Sequence, residues 1–193
     1  MASDSISCQC QVEDRKIPAL IIDNICRHLF RPPLRFLSRF VSPGLTAVDL
    51  GCGPGYFTLP MAKIVGPGGT VHAVDFDRRA IDRVERKARR QGVSATLAAH
   101  AVSASEIDFL ETGSVDFLLA EGLLCCMKDH SGAVRQIKRV LKTEGRAYLS
   151  IIKFTRKDDP RSVSKSEWTT LLSQMRILDS GEGLMSRWAL VSP

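Results

Sequence analysis

The sequence predicts an α/β fold, a doubly wound and mostly parallel β-sheet with helices on both faces. Short apolar segments alternate with segments of helical periodicity from Leu45 onward, and glycines stand at most of the junctions. Strands that alternate with helices in this way are typical of parallel sheets. The chain has 193 residues, of which 44% are hydrophobic, and this is enough for one core but short for two.

The first half of the alternation predicts three strands and two helices. LTAVDLG (45–51) is apolar and stops at a glycine, which indicates a strand, and YFTLPMAKIV (56–65) then has apolar residues at helical spacing. We expect this helix to begin near Gly55. TVHAVDF (70–76) predicts the second strand, RRAIDRVERKARRQG (78–92) a helix closed by glycine, and VSATLAAH (93–100) a weaker third strand.

The second half continues the pattern. SVDFLLAEG (114–122) predicts the fourth strand, SGAVRQIKRVLKTEG (131–145) a helix and RAYLSIIKF (146–154) the fifth strand. SKSEWTTLLSQM (164–175) predicts a further helix. The tail RILDSGEGLMSRWALVSP (176–193) resembles two strands joined by a turn at DSGEG, so we expect an antiparallel strand to close one edge of the sheet.

Charge and apolar content limit the class of protein. The longest apolar runs, such as VDFLLAEGLLCCM, are far shorter than a membrane span, and MASDSISCQC lacks the pattern of a signal peptide. We therefore expect a soluble, cytoplasmic protein with no membrane partner. The net charge of +6 permits an acidic partner. The arginines of segment 78–92 lie mostly off the apolar face, without interleaved aromatics, which favours a solvated surface over a nucleic-acid site.

The six cysteines are irregularly spaced, which favours free thiols over disulfides or structural zinc. We expect no metal site. Cys125 and Cys126 follow the fourth strand, and Cys26 lies in the N-terminal segment. A packing role is favoured for them because cysteine is usually buried. Binding of a soft metalloid such as trivalent arsenic is the alternative.

Three glycines alternate in AVDLGCGPGYF, at positions 51, 53 and 55, directly after the first strand. In open α/β sheets ligands bind at this end of the strands, and glycine lets the backbone approach a ligand closely. A dinucleotide fingerprint would need glycine where Tyr56 stands, and no Walker-type lysine follows. Bound pyrophosphate and nucleoside triphosphates are therefore disfavoured.

Two acidic residues refine the nature of the ligand. Asp49, near the end of the first strand, would repel a phosphate but attract an ammonium group. Asp75, at the end of the second strand, is placed to accept hydrogen bonds from both hydroxyls of a ribose. A ligand with a ribose, an amino group and no pyrophosphate is indicated, and S-adenosylmethionine has these features.

From about Leu45 to the C-terminus the chain resembles the class I S-adenosylmethionine-dependent methyltransferases. VDLGCGPGYFTLPMA resembles their first motif, VHAVDFD their second-strand acid, and AVRQIKRVLKTEGRAYLSI their helix, turn and fifth strand. The resemblance implies a Rossmann-like sheet of seven strands with the last strand antiparallel, methyltransferase activity, and S-adenosyl-L-methionine as cofactor. It divides the chain into an N-terminal helical lid (1–44) and a cofactor-binding domain (45–193).

The resemblance also implies the site residues. The glycine loop lines the methionine part of the cofactor, with Asp49 near its amino group, and Asp75 holds the ribose. Phe76 packs on the adenine, or alternatively belongs to the core. Ser103, followed by Ala104, stands where the family often has an aspartate that binds the adenine amino group. The expected cofactor-binding residues are Asp49, Gly51, Cys52, Gly53, Gly55, Tyr56, Asp75, Phe76, Ser103, Ala104 and Glu121.

The sequence assigns no catalytic base. Glu121 is a candidate that also has a structural alternative, and His130 is a second candidate for which a helix cap at Asp129 or Ser131 is the favoured interpretation. A small-molecule substrate is favoured by the compact domain and short lid, and the amino-methylating N/D-P-P-[FY] motif is replaced by AEGLLCCM. RNA or protein methylation, and a non-catalytic binding module of the same fold, are the alternatives.

Overall fold

A computed structural model describes Asp14 and residues 32–153 and 158–193. The strands in these residues are β1 (Thr46–Leu50), β2 (Thr70–Val74), β3 (Leu97–His100), β4 (Val115–Glu121), β5 (Leu141–Ile152), β6 (Arg176–Glu182) and β7 (Ser186–Ser192). The α-helices in the same residues are α1 (Pro33–Leu37), α2 (Thr58–Val65), α3 (Arg78–Gln91), α4 (His130–Val140) and α5 (Lys165–Leu172). Single 3₁₀ turns lie at Ser94–Thr96 and Leu124–Cys126.

The seven strands form one sheet in the order β3-β2-β1-β4-β5-β7-β6. The first five strands are parallel, and β7 is antiparallel to both β5 and β6. The predicted doubly wound sheet with an antiparallel last strand is therefore confirmed. The edge strand on this side is β6, which pairs antiparallel with β7. Ala189 and Val191 of β7 are fully buried, whereas β6 is almost entirely exposed, as an edge strand can be.

The final turn also differs from the prediction. DSGEG lies mostly within β6, and the chain reverses at residues 183–185, where the Gly183 N–H donates to the Ser186 carbonyl at 2.8 Å. Gly181 faces the Trp188 ring, since an added Cβ would lie 2.9 Å from it. This glycine therefore permits a close contact across the strands rather than a turn.

The start of α2 and the start of β5 also differ from the sequence prediction. Helix α2 begins at Thr58 rather than near Gly55, because Gly55 has φ of +89°, outside the helical region. Strand β5 begins at Leu141, so the segment expected to end the preceding helix joins the sheet, with a register shift against β4. Gly145 allows this path, since a Cβ there would lie 2.7 Å from the Val115 carbonyl oxygen.

The core occupies both faces of the sheet. Helices α4 and α5 cover one face, where Leu118, Leu149 and Ile137 are fully buried. Helices α1 and α2 cover part of the other, around Phe117 and Tyr148. Helix α3 buries Ile81, Val84 and Ala88, and its six arginines are exposed, as the amphipathic pattern predicted.

Part of the N-terminal prediction lies outside the described residues, namely the helix over IPALIIDNICRHLF together with Cys8, Cys10 and Cys26. In the described part of this segment Pro33 opens α1, a position that suits proline because its missing N–H would have no helical partner. No helix among the described residues combines the length and apolar character needed to cross a membrane.

Candidate active site

The carboxyl edge of the sheet brings together acidic residues from separate strands. Asp75 directly follows β2 and Glu121 ends β4, the two strands that flank β1. If the registers of β1 with β2 and with β4 are continued to the strand ends, Gly51 lies beside Asp75 on one side and Glu121 on the other. The three positions therefore form one row across the sheet. Ser150 of β5 pairs with Glu121 and extends the row. Asp49 lies on β1, two residues before Gly51, and is almost fully buried.

The glycine loop follows a path that other residues rarely adopt. Gly51, Gly53 and Gly55 have φ of +78°, +51° and +89°, in the left-handed region that favours glycine. A Cβ at Gly51 would lie 2.9 Å from Cδ1 of Leu123. The N–H groups of Gly51 and Cys52 both donate to the Val74 carbonyl, at 2.8 and 3.0 Å. These bonds hold the loop against the end of β2.

Asp49 is fixed by a residue that the sequence analysis did not single out. The Thr58 hydroxyl donates to Oδ2 of Asp49 at 2.5 Å, and both side chains are buried. Thr58 is the first residue of α2, so this bond joins the end of β1 to the helix that follows the loop. A hydrogen bond to a carboxylate favours its charged form. The only sequence signal for this role is a hydroxyl residue shortly after the glycines.

Asp75 joins the loop after β1 to the turn after β2. Its Oδ2 accepts the Gly53 N–H at 2.9 Å, and its Oδ1 accepts the Asp77 N–H at 2.9 Å. Asp77 in turn caps α3 by accepting the Arg79 N–H. Each carboxylate oxygen has two lone pairs, so neither of these bonds alone uses the full acceptor capacity of its oxygen.

The Cys52 thiol lies in a buried environment close to two carboxylates. Burial raises the pKa of this thiol well above the usual range, and the nearby carboxylates of Asp49 and Asp75 raise it further. The thiol is thus held in its neutral form, and its Sγ lies 3.6 Å from the Gly53 carbonyl oxygen. The carboxylates that disfavour a thiolate here favour a positively charged ligand.

Glu121 is oriented through Ser150, a second residue that the sequence analysis missed. The Ser150 hydroxyl donates to Oε2 of Glu121 at 2.8 Å and accepts the Gly122 N–H at 3.1 Å. Ser150 is buried, whereas Glu121 is partly exposed at the sheet edge. No motif marks Ser150, because its relation to Glu121 follows from the pairing of β4 with β5.

On the expected adenine side, Phe76 is 37% exposed, so the alternative of a core aromatic is wrong. Tyr56 is buried with its ring 4.8 Å from that of Phe57, edge to face. The Tyr56 ring therefore belongs to the core, and only its backbone lies along the loop. The Ser103 hydroxyl lies 3.1 Å from that of Ser105, and Ala104 is buried.

His130 occupies the buried start of α4. Its Nε2 lies 2.8 Å from the Met127 carbonyl oxygen, and its Nδ1 lies 2.7 Å from Oε1 of Glu167 on α5. Asp129 is the cap, since its carboxylate accepts the Gly132 N–H at 2.8 Å. Because both ring nitrogens are engaged with protein oxygens, the geometry favours the structural interpretation of His130.

Cys125 and Cys126 lie in the 3₁₀ turn that follows β4. The Cys125 thiol donates to the Gly122 carbonyl at 3.2 Å, and its side chain packs against the core. Both cysteines are partly buried. In the part of the chain that the structure describes, no three His, Cys, Asp or Glu side chains are placed to hold a metal ion. The third cysteine of the metalloid hypothesis, Cys26, lies outside that part.

These residues fit the cofactor that the sequence resemblance implies. S-adenosylmethionine carries an ammonium and a sulfonium, and the buried Asp49 beside a neutral thiol suits positive charge. Its ribose needs an acceptor with two oxygens, and Asp75 provides one held by two backbone bonds. The glycine loop between these two carboxylates would let the backbone pass close to such a ligand.

Comparisons with known proteins support the resemblance to methyltransferases. The chain matches the family described as a methyltransferase domain over residues 41–181. It is 31% identical over 106 residues to demethylmenaquinone methyltransferase from Lactobacillus johnsonii, across 55% of this chain and 43% of that protein. It is 30% identical over 123 residues to nocamycin O-methyltransferase from Saccharothrix syringae, across 63% and 43%. A solved SAM dependent methyltransferase from Aquifex aeolicus superposes with a TM-score of 0.74 at 24% identity, across 92% of this chain and 98% of that one.

The chain spans less than half the length of these two sequence relatives, and the likeness to the solved structure concerns the fold. The family match, in contrast, covers well over half of this chain. It includes the glycine loop and the acidic residues Asp49, Asp75 and Glu121. The chain therefore belongs to the methyltransferase domain family, and the cofactor that this membership implies is S-adenosylmethionine.

Proposed function

We propose that the protein is an S-adenosylmethionine-dependent methyltransferase that acts on a small molecule. The observation that carries the proposal is the pair of carboxylates, Asp49 and Asp75, fixed on either side of the glycine loop. The names of two relatives, a demethylmenaquinone methyltransferase and a nocamycin O-methyltransferase, support a small-molecule acceptor.

In this proposal each residue at the sheet edge binds a different part of the cofactor. Asp75 binds the ribose hydroxyls, Asp49 attracts the positively charged amino acid part, and the loop backbone lines the space between them. The exposed ring of Phe76 packs on the adenine, beside Ser103. When bound, S-adenosylmethionine supplies a methyl group already activated by its sulfonium, so the protein has mainly to position the acceptor.

Glu121 is the residue we propose to face the methyl acceptor. It ends β4 beside the glycine loop, and Ser150 fixes one of its oxygens. A carboxylate in this position can orient an acceptor hydroxyl and accept its proton. His130 is less suited to that task because it is buried and joined to Met127 and Glu167.

The N-terminal segment (1–44) is proposed as the lid of the site. Asp14 supports this, because its carboxylate accepts the Lys128 N–H at 3.1 Å, in the loop that follows β4. Helix α1 belongs to the same segment and packs on the sheet through Leu37. A covering segment would exclude water from the reacting groups.

The proposal is tested by following transfer of a labelled methyl group from S-adenosylmethionine. Small phenols and hydroquinones form one acceptor panel, and tRNA, ribosomal RNA and protein form the other. We expect label in the small-molecule panel alone. Label in RNA or protein alone would contradict the proposed acceptor class. Mass spectrometry and calorimetry that detect no cofactor binding would favour the non-catalytic module instead.

A further inference from the structure

A cavity lies on the α1 face of the sheet. It has a volume of about 480 Å³ and opens between α1 with its following turn and strands β5, β6 and β7. Its lining includes Arg35, Arg39, Tyr148, Asp179 and Trp188, none of which is a predicted cofactor residue. This volume lies in the range of cavities that bind small molecules.

One wall of the cavity is aromatic and flat. The rings of Tyr148 and Trp188 are stacked, with centroids 5.7 Å apart and planes 13° from parallel. Phe36 meets Tyr148 edge to face, at 4.9 Å between centroids and 78° between planes. Trp188 is only partly buried, although it lies on an interior strand. Such a surface suits a planar ring packed face to face or edge to face.

The rim of the cavity is positively charged. Arg35 and Arg39 are both exposed and stand four residues apart, at the end of α1 and in the turn that follows it. Within the described residues neither guanidinium forms an ion pair, and Arg39 lies over the ring of Phe40 at 5.5 Å. Asp179 supplies one carboxylate to the same lining, and it accepts the Ser180 N–H. Two guanidiniums against one carboxylate leave a net positive charge.

We propose that this cavity binds a planar aromatic monoanion of the aromatic carboxylate class. The ring packs on Trp188 and Tyr148, and the carboxylate receives hydrogen bonds from Arg35 and Arg39. Guanidinium matches carboxylate with paired N–H donors, which makes such bonds short and strong. Trp188 pairs with Ser150 of the sheet-edge row, so this cavity adjoins that row, but the binding inference does not depend on the proposed methyl transfer.

The probe for the test is 2-naphthoate, with naphthalene-2-carboxamide as its uncharged counterpart. The chain has two tryptophans. Trp188 lines the cavity, whereas Trp168 is buried on α5, on the opposite face of the sheet. In a ¹H–¹⁵N spectrum of the full chain we expect 2-naphthoate to shift the indole signal of Trp188 and not that of Trp168. The variant Trp188→Phe assigns the two signals.

A charge-matched pair of variants tests the role of the arginines. Arg35→Gln with Arg39→Gln should weaken 2-naphthoate binding about tenfold or more, because charge-assisted bonds are lost. Arg83→Gln with Arg86→Gln changes the net charge equally on the exposed side of α3, at the other end of the sheet, and should leave affinity within about twofold. The carboxamide should bind the unmodified protein as weakly as 2-naphthoate binds the first variant.

Three results would overturn the proposal. One is the absence of any Trp188 shift at about 5 mM 2-naphthoate, a concentration that detects even millimolar affinity. Another is equal affinity for the carboxylate and the carboxamide, which would remove the role of charge. The third is a Trp188 signal that moves with protein concentration alone, which would assign the cavity to a second copy of the chain.

Discussion

The carboxylate of Asp75 accepts the backbone N–H of Gly53 at 2.9 Å, so the end of β2 is joined to the middle of the glycine loop. The other oxygen of Asp75 accepts the N–H of Asp77, the cap of α3. One side chain thus fixes the loop relative to β2 and α3. Any ligand that contacts both Asp75 and the loop therefore meets a surface that is organised before binding, which reduces the entropy lost on association.

The first prediction concerns Asp75→Ala, which we expect to weaken cofactor binding by about 2 to 4 kcal/mol, since it removes a charged acceptor from two hydroxyl donors. Calorimetric titration with S-adenosylhomocysteine measures this. Asp77→Asn is the matched control, because asparagine caps helices as well as aspartate does, and it should bind normally. An unchanged dissociation constant in a folded Asp75→Ala protein would place the ribose elsewhere.

The second prediction concerns Gly53→Val, which we expect to abolish cofactor binding while the sheet stays folded. A side chain at φ of +51° is strained and would project beside the loop. Gly113→Val is the control, because Gly113 has φ of +67° with no atom near its Cβ position and lies before β4, at the opposite edge. Circular dichroism and cofactor titration compare the two variants. Normal binding by Gly53→Val would show that the loop is a plain turn.

The order of strands and helices up to β5 was predictable because each element carries its own periodicity and most end at glycine or a polar turn; α4 is the exception, since it continues directly into β5 at Leu141. The tail was less predictable. DSGEG has the composition of a turn, but Gly181 contacts Trp188 across two strands, a relation between residues that no local pattern contains.

In the candidate site, too, residues close to a motif could be predicted, whereas a residue that depends on strand pairing could not. The placement of Asp49 and Asp75 beside the glycine loop was predictable, because each stands at a fixed distance from that loop at the end of its own strand. Ser150 was not predictable, because its bond to Glu121 depends on the register between β4 and β5, which includes a shift. Thr58 is an intermediate case, since it lies near the motif but carries no feature that distinguishes it from a helix residue.

The third prediction is a loss of stability at alkaline pH caused by Cys52. The pKa of this thiol is raised in the folded state by burial and by Asp49 and Asp75. Above the ordinary thiol pKa the unfolded chain releases this proton and the folded chain retains it, so the free energy of unfolding falls as pH rises. Below that range Cys52 makes no pH-dependent contribution.

Urea unfolding across the alkaline range tests the Cys52 prediction. Cys52→Ala should flatten the decline in the free energy of unfolding, whereas Cys125→Ala, which removes a partly buried thiol from the neighbouring loop, should keep it. Equal slopes in the unmodified protein and in Cys52→Ala would show that another group causes the decline.

The fourth prediction separates the structural from the catalytic interpretation of His130. His130→Phe removes the bonds to Met127 and Glu167 and should lower the free energy of unfolding by about 1 to 3 kcal/mol. At a temperature where the variant is folded, kcat and the cofactor dissociation constant should be unchanged. A large loss of kcat without loss of stability would instead make His130 a catalytic residue.

The last prediction concerns Glu121 and the serine that orients it. If Glu121 faces the methyl acceptor, Glu121→Gln should lower kcat about 100-fold, the usual scale for loss of a general base, and leave the cofactor dissociation constant nearly unchanged. If it contacts the cofactor, the dissociation constant should rise instead. Ser150→Ala should show a smaller change of the same kind, because the carboxylate remains but loses the bond that holds Oε2. Ser150→Thr keeps the hydroxyl and should restore most of the activity. Loss of stability alone in Glu121→Gln, with kcat and cofactor affinity both intact, would show that the carboxylate serves only to join β4 to β5.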